Sequence, residues 1–372
     1  MDFELTSNQK MIKQMVSEFA EKELLPAVEE MDKRAEFPLS QMNKLAKLGL
    51  LGLSVPEAAG GYGLDSLCMI LAVEELSKVW ASVGLVVSNH NLGCLYPIYK
   101  FGTDEQKRRY LKPLIQGEKL GTIALLEPGD SSDPFVMKTR AEKANGGYIL
   151  DGIKTLVVAA NNAQLFLVVA ILNGSPAYFL LEKDAIKDNI SISPNLLGMK
   201  SAGCGQISFN NFHLPGSARL ALTPSQEPFN VIDFYNLGLS AISLGLLQIC
   251  YDSTVAFSKE RHQFGHPICT FPMVQEKLIK IAAHIAAARA LVYQTIIQLD
   301  HQKANKKNMV LCKYLSSQQA IEGAIDAVQI YGGDGYTTDY PIERYLRDAQ
   351  LLSLLGGTPF YQMNLIAQEI LR

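Results

Sequence analysis

The apolar residues of this chain change their spacing twice, and that change limits the folds open to it. Up to about residue 120, segments such as LTSNQKMIKQMVSEFAEKEL, FPLSQMNKLAKLGL and LCMILAVEELSKVWASVGLVV place apolar side chains at i, i+3, i+4 and i+7, the spacing of one helix face. From Gly121 to about Gln226 it shortens to β-rich runs, TIALLE, YILDGI, TLVVAA, LFLVVAIL, AYFLLE and ISISP, separated by Gly, Asn, Asp and Pro. After Pro228 the helical spacing returns in VIDFYNLGLSAISLGLLQICYDSTVAFSKER and MVQEKLIKIAAHIAAARALVYQTIIQL and continues to the end. The expected architecture is α+β and mostly α: a helical N-terminal domain over 1–120, a central antiparallel β domain over 121–226 and a C-terminal helical bundle over 227–372. A chain of 372 residues, 48% of them hydrophobic, has material for a large multi-layer core.

Several function classes drop out at this point. With 34 Lys and Arg against 37 Asp and Glu, the chain lacks the basic footprint of a nucleic-acid binder. Its first residues, MDFELTSNQK, hold two acids and no apolar signal core, so a cytoplasmic location is expected. The cysteines at 68, 94, 204, 250, 269 and 312 have no CxxC spacing, which predicts buried thiols and neither a zinc site nor a disulfide framework. The longest apolar stretch, Leu237 to Cys250, is interrupted by Ser240 and Ser243, falls short of the roughly 18 residues of a membrane span, and reads as a core helix. Thr103 followed by Gln106 predicts a capping box opening the helix DEQKRRYLKPL, whose charges read as a solvated face.

A series of local motifs, in order along nearly the whole chain, resembles the acyl-CoA dehydrogenase family. Pro56-Glu57 with Gly60, Gly61 and Gly63 is similar to a PEEYGGxG loop, Lys100–Glu118 to KFGTEEQKxxYLPxLxxGE, and Leu125–Asp133 to LTEPGAGSD. Leu197–Lys200 resembles LGMR, Lys259–Ile268 resembles KERKQFGKPI, and Gln329–Tyr336 and Tyr340–Ala349 match almost letter for letter. The resemblance implies three domains ending in a four-helix bundle, FAD bound at a dimer face, a homodimer or homotetramer, and an acyl thioester as substrate.

Leu354–Gln362, LLGGTPFYQ, resembles the family's IYEGTSEIQ, whose Glu is the base for the α-proton; here that position is Gly356. The family's second base position falls on Tyr235, a phenol that ordinarily titrates near 10, and the Arg that usually follows is Asn236, which leaves a carrier-protein thioester open beside coenzyme A. Asp233 is a candidate relocated base, although ordinary members also hold Asp there. His90 is another, because imidazole titrates near neutral pH; the competing reading is a hydrogen-bonded structural residue. At the flavin ring the family's two Thr and one Trp are replaced by Leu126, Val158 and Leu156. Arg261, Gln263, Phe264, Gln329, Gly332 and Gly333, implied to hold the pyrophosphate and adenosine end of a neighbouring subunit's FAD, are all present. The resemblance further implies cofactor contacts at Ser132 and Thr358 and substrate contacts at Ser132, Asn91, Tyr235, Asn236 and Gly357. Three functions stay open: an acyl-thioester oxidoreductase with a moved or absent base, a flavoenzyme doing elimination, desulfination or ring closure, and a non-catalytic subunit completing a paralogous partner's FAD site.

Overall fold

The computed structural model describes residues 4–129, 137–192, 196–222 and 231–371. Its N-terminal part is helical, as the apolar spacing predicts. Thr6 caps the first helix, Ser7–Phe19, reciprocally: its hydroxyl accepts from Gln9 N and Gln9 Oε1 accepts from its backbone N–H. The expected box at Thr103 and Gln106 opens Asp104–Ile115 in the same way. Helix Ser66–Val79 buries nearly every side chain, so it is core on all faces rather than amphipathic.

The middle region is a seven-stranded sheet, and its pairing corrects the antiparallel expectation: the sheet is mixed. Leu165–Leu172 is buried at every position. Along one edge it takes two parallel neighbours, Gly121–Ala124 and Arg140–Ala144, and along the other it pairs antiparallel with Ser175–Glu182. Gly147–Val157 then pairs antiparallel with both Arg140–Ala144 and Gly205–Pro215, and Ile190–Ile192 closes the far edge. A run such as LFLVVAIL buries both faces and carries no mark of strand direction, so the connections decide it. Asn173 at φ +52° and Gly174 at φ +79° make the two-residue turn of its hairpin.

Five helices follow, Val231–Glu260, Pro272–Asp300, Lys306–Tyr331, Ile342–Leu354 and Pro359–Leu371, and the first four pack as a bundle. Val231–Glu260 and Lys306–Tyr331 run parallel, with Lys306 on Asp233 near one end and Tyr331 Oη donating to Ser253 O near the other. The 30-residue helix Val231–Glu260 has the length and apolarity of a membrane span, but 83% of its most apolar 18-residue stretch is buried inside the protein, as a core helix requires. It also packs on Ser66–Val79, where a Cβ on Gly245 would lie 2.5 Å from Glu74 O, so only glycine permits the approach. One element therefore joins the N-terminal helices to the bundle, with Asp233, Tyr235 and Asn236 near its start and Arg261 just beyond its end.

Candidate active site

The C-terminal loop meets this long helix at Gly356. Gly356 and Gly357 link Ile342–Leu354 to Pro359–Leu371 with φ of +67° and +119°, conformations that favour glycine. The space is as restrictive as the backbone. A Cβ on Gly356 would lie 1.9 Å from Asn236 Oδ1 and 2.9 Å from Leu239 Cδ1, and one on Gly357 would lie 2.6 Å from Gln362 Nε2 and from Tyr361 Cδ1. Gln362 Nε2 fastens the turn by donating to Gly356 O at 2.9 Å, and Thr358 Oγ1 accepts from Tyr361 N at the start of the last helix. Asn236, 5% exposed, thus fills the volume from which a side chain at 356 would extend, and its Oδ1 has no donor among the described residues.

The three candidate bases are each committed elsewhere. Both oxygens of buried Asp233 accept from Lys306 Nζ, at 2.6 and 2.5 Å, so this carboxylate is an ion-pair member. Burial, with Cys204 nearby, pushes the Tyr235 phenol above its ordinary range against an opposing contact from the Asn89 amide, which makes it a poorer base still. His90 is fully buried; its Nδ1 accepts from Gly121 N at 3.0 Å, which fixes the proton on Nε2, 3.2 Å from Leu51 O. Burial pushes its pKa down to about 4, so it is a neutral structural group. Asn91, expected at the substrate, instead spends its amide on Leu50 O and Val87 O, both at 3.0 Å. Both residues lie in a π-helical turn, Asn89–Leu95, whose extra residue turns them toward the Leu50–Leu51 backbone.

The three replacements at the expected ring end come together. Thr155 N donates to Leu126 O at 2.8 Å, setting Leu126 beside a bulge in Gly147–Val157 where Leu156 adopts φ +51°. Leu126 and Leu156 are partly buried and Val158 is buried, an apolar wall to which these three side chains bring no hydroxyl. Ser132 lies outside the described residues. Beneath this wall is a group that the motifs did not reveal: fully buried Lys154 donates to Glu127 Oε1 at 2.8 Å and Leu125 O at 3.0 Å. Burial lowers the Lys154 pKa to about 8 even with Glu127 opposing the shift. Burial also raises the Glu127 pKa, but Lys154 and the N–H groups of Thr139 and Lys138 outweigh it and leave the carboxyl below its usual range. The signal was a charge at the inward parity of a strand, where Leu150 is buried too.

A second cluster forms at the other end of the helix. His262–Gln263 and His266–Pro267 form a tight hairpin with Phe264 at φ +50° and Gly265 at φ +81°. Arg261, half exposed, lies 3.9 Å from Asp334, which ties the hairpin to the Gly332–Tyr336 turn. Gln263, Gln329, Gly332 and Gly333 are exposed, Phe264 is 91% exposed, and none of the described residues stands within 4 Å of a Cβ on either glycine. The six outer residues therefore share one open surface. At a rise of about 1.5 Å per residue, the helix separates Asn236 from Glu260 by about 36 Å.

Three acyl-CoA dehydrogenase domain families match the chain: the N-terminal domain over residues 6–118, the middle domain over 122–212 and the C-terminal domain over 231–371. An acyl-CoA dehydrogenase of Bacillus subtilis (strain 168) is 35% identical over 378 residues, covering 99% of either chain. The mitochondrial short-chain specific acyl-CoA dehydrogenase of Rattus norvegicus is 32% identical over 381 residues, covering 99% of this chain and 91% of its own. The solved structure of butyryl-CoA dehydrogenase from Megasphaera elsdenii superposes with a TM-score of 0.92 at 31% identity, over 100% of both chains.

Proposed function

Because the chain belongs to the acyl-CoA dehydrogenase family, we propose that it is a FAD-dependent oxidoreductase acting on the CH–CH group of an acyl thioester, coenzyme A-bound or carrier-bound, with no carboxylate at the usual base position. One observation carries this proposal: the loop at Gly356 is rebuilt around the Asn236 amide, with two left-handed glycines and a Gln362 brace, rather than degraded.

The outer cluster fits the cofactor. A half-exposed guanidinium suits pyrophosphate, and Gly332 and Gly333 leave their backbone open to approach. When bound, FAD supplies the acceptor for the β-hydride. About 36 Å of helix separates the outer cluster from Asn236, further than one flavin dinucleotide stretches, so Arg261 and its neighbours serve a second subunit's cofactor and the working unit is at least a dimer. Within one chain, Leu126, Leu156 and Val158 line the ring's place and exclude water, leaving polar ring contacts to backbone groups. With Asp233 bound to Lys306 and both ring nitrogens of His90 hydrogen-bonded, neither side chain is free to take the α-proton, which leaves a base carried by the substrate itself. A positioned general base is worth roughly 10²–10⁴ in rate, so plain acyl chains turn over slowly and acidified α-protons are favoured.

The second reading, a subunit that completes a paralogous partner's site, is favoured by one feature: the exposed outer cluster is complete whereas the ring wall lacks hydroxyls. The visible absorption spectrum separates the two, with flavin counted per subunit before and after adding FAD. One flavin per subunit that bleaches with an acyl thioester supports the oxidoreductase. A colourless chain that gains flavin only on co-expression with a paralogue establishes the subunit, and full flavin with no bleaching by a broad thioester panel refutes the acyl oxidoreductase.

A further inference from the structure

The Gly356 turn is flanked by two buried amides with unused acceptors. Asn236 is 5% exposed and its Oδ1 has no donor among the described residues; Gln362 is fully buried, its Nε2 holds Gly356 O, and its Oε1 has no donor among them either. A buried acceptor without a donor is destabilising, so the two beside this turn are a standing cost, one of which a leucine at 236 would remove. Asn236 Oδ1 also lies 1.9 Å from the point where a side chain at 356 would begin, which aims it at the position from which family members work on the α-carbon.

We infer that Asn236 Oδ1 receives a hydrogen-bond donor from the acyl group, and that the preferred substrate is a thioester carrying a hydroxyl or amide N–H at its α-carbon rather than a plain hydrocarbon chain. This inference rests on the acyl-thioester proposal above. The charge balance narrows the donor. Asp233, three residues before Asn236, is neutralised by Lys306, so an ammonium arriving here would lose its water without gaining a counter-ion. A carboxylate would bring only further acceptors to oxygens that need a donor. A neutral O–H or N–H fits both conditions.

Dissociation constants are measured by flavin difference spectra on FAD-saturated protein for the butanoyl and 2-hydroxybutanoyl thioesters, each as the coenzyme A and the carrier-protein form. The hydroxy ester is expected to bind roughly 10- to 100-fold more tightly, the value of one satisfied buried acceptor. In Asn236→Leu the two esters should fall within about threefold of each other, as they must when the acceptor is gone. Equal affinities in the unaltered protein would mean that water satisfies Asn236 Oδ1 and would overturn the inference alone. A preference that survives Asn236→Leu overturns it as well, because the donor is then read elsewhere. If neither ester binds in either form, the acyl-thioester proposal itself fails and the inference falls with it.

Discussion

Alanine at Gly356 adds one methyl group to the tightest point of the site. Two effects set its cost. At φ +67° an L-residue is in the left-handed region, which costs about 1–2 kcal/mol. The new Cβ would stand 1.9 Å from Asn236 Oδ1, far inside an ordinary contact, so the amide must move within a packed core, and overpacking of this kind costs about 1–3 kcal/mol. Together they give about 2–5 kcal/mol, or a fall of roughly 4–20 °C in the thermal midpoint followed by circular dichroism. Asn236→Ala removes the nearer obstruction, so in that background the left-handed part and the weaker Leu239 contact should remain, a coupling of up to about 3 kcal/mol in the double-mutant cycle. A midpoint within a degree of the unaltered protein would refute the steric reasoning, and so would equal losses in both backgrounds. The same geometry predicts that Gly356→Glu alone restores no base, because the carboxylate's stem must first displace Asn236.

Two further outcomes follow from buried charge. The His90 pKa, pushed from 6.5 to about 4, lies below its unfolded value, so the unfolded chain binds the proton first and the associated stability, on the order of 3 kcal/mol, is complete above pH 6.5 and lost as pH falls toward 4. Ring NMR should find His90 still neutral at pH 5, and a ring titrating near 6.5 would contradict its locked tautomer. Glu127→Gln strands the Lys154 ammonium in a site with no exposure and should cost about 3–5 kcal/mol, much of it recovered in Glu127→Gln/Lys154→Met; a loss under about 1 kcal/mol in urea titrations would show that the pair is dispensable.

The helix–strand–helix order was legible because burial on one helix face or along a strand leaves a period in the sequence, and the cap at Thr103 was legible because it is local. Strand direction was not: Leu165–Leu172 is apolar throughout and its parallel partners come from other segments. The absence of a base at Gly356 could be read from one motif, but not what replaced it. Asn236 is remote in sequence, and only folding shows its amide occupying the space. His90 and Asn91 looked free because their partners, Leu51 O and Leu50 O, are backbone atoms and leave no residue signature. Lys154 was missed for a related reason, since its ion pair joins a strand residue to a loop residue, Glu127, that is read in a separate motif.

The length of helix between Asn236 and Arg261 has a genetic consequence. If each cofactor site draws its outer part from one chain and its inner part from another, a lesion at Arg261 and a lesion at Gly356 damage different halves of the same site. Mixed dimers of the two defective chains then contain one site carrying both lesions and one carrying neither. Two inactive alleles expressed together should complement to about half the sites per mixed dimer, whereas either allele beside the wild-type gene should inactivate one site per defective chain, no more than simple dilution would.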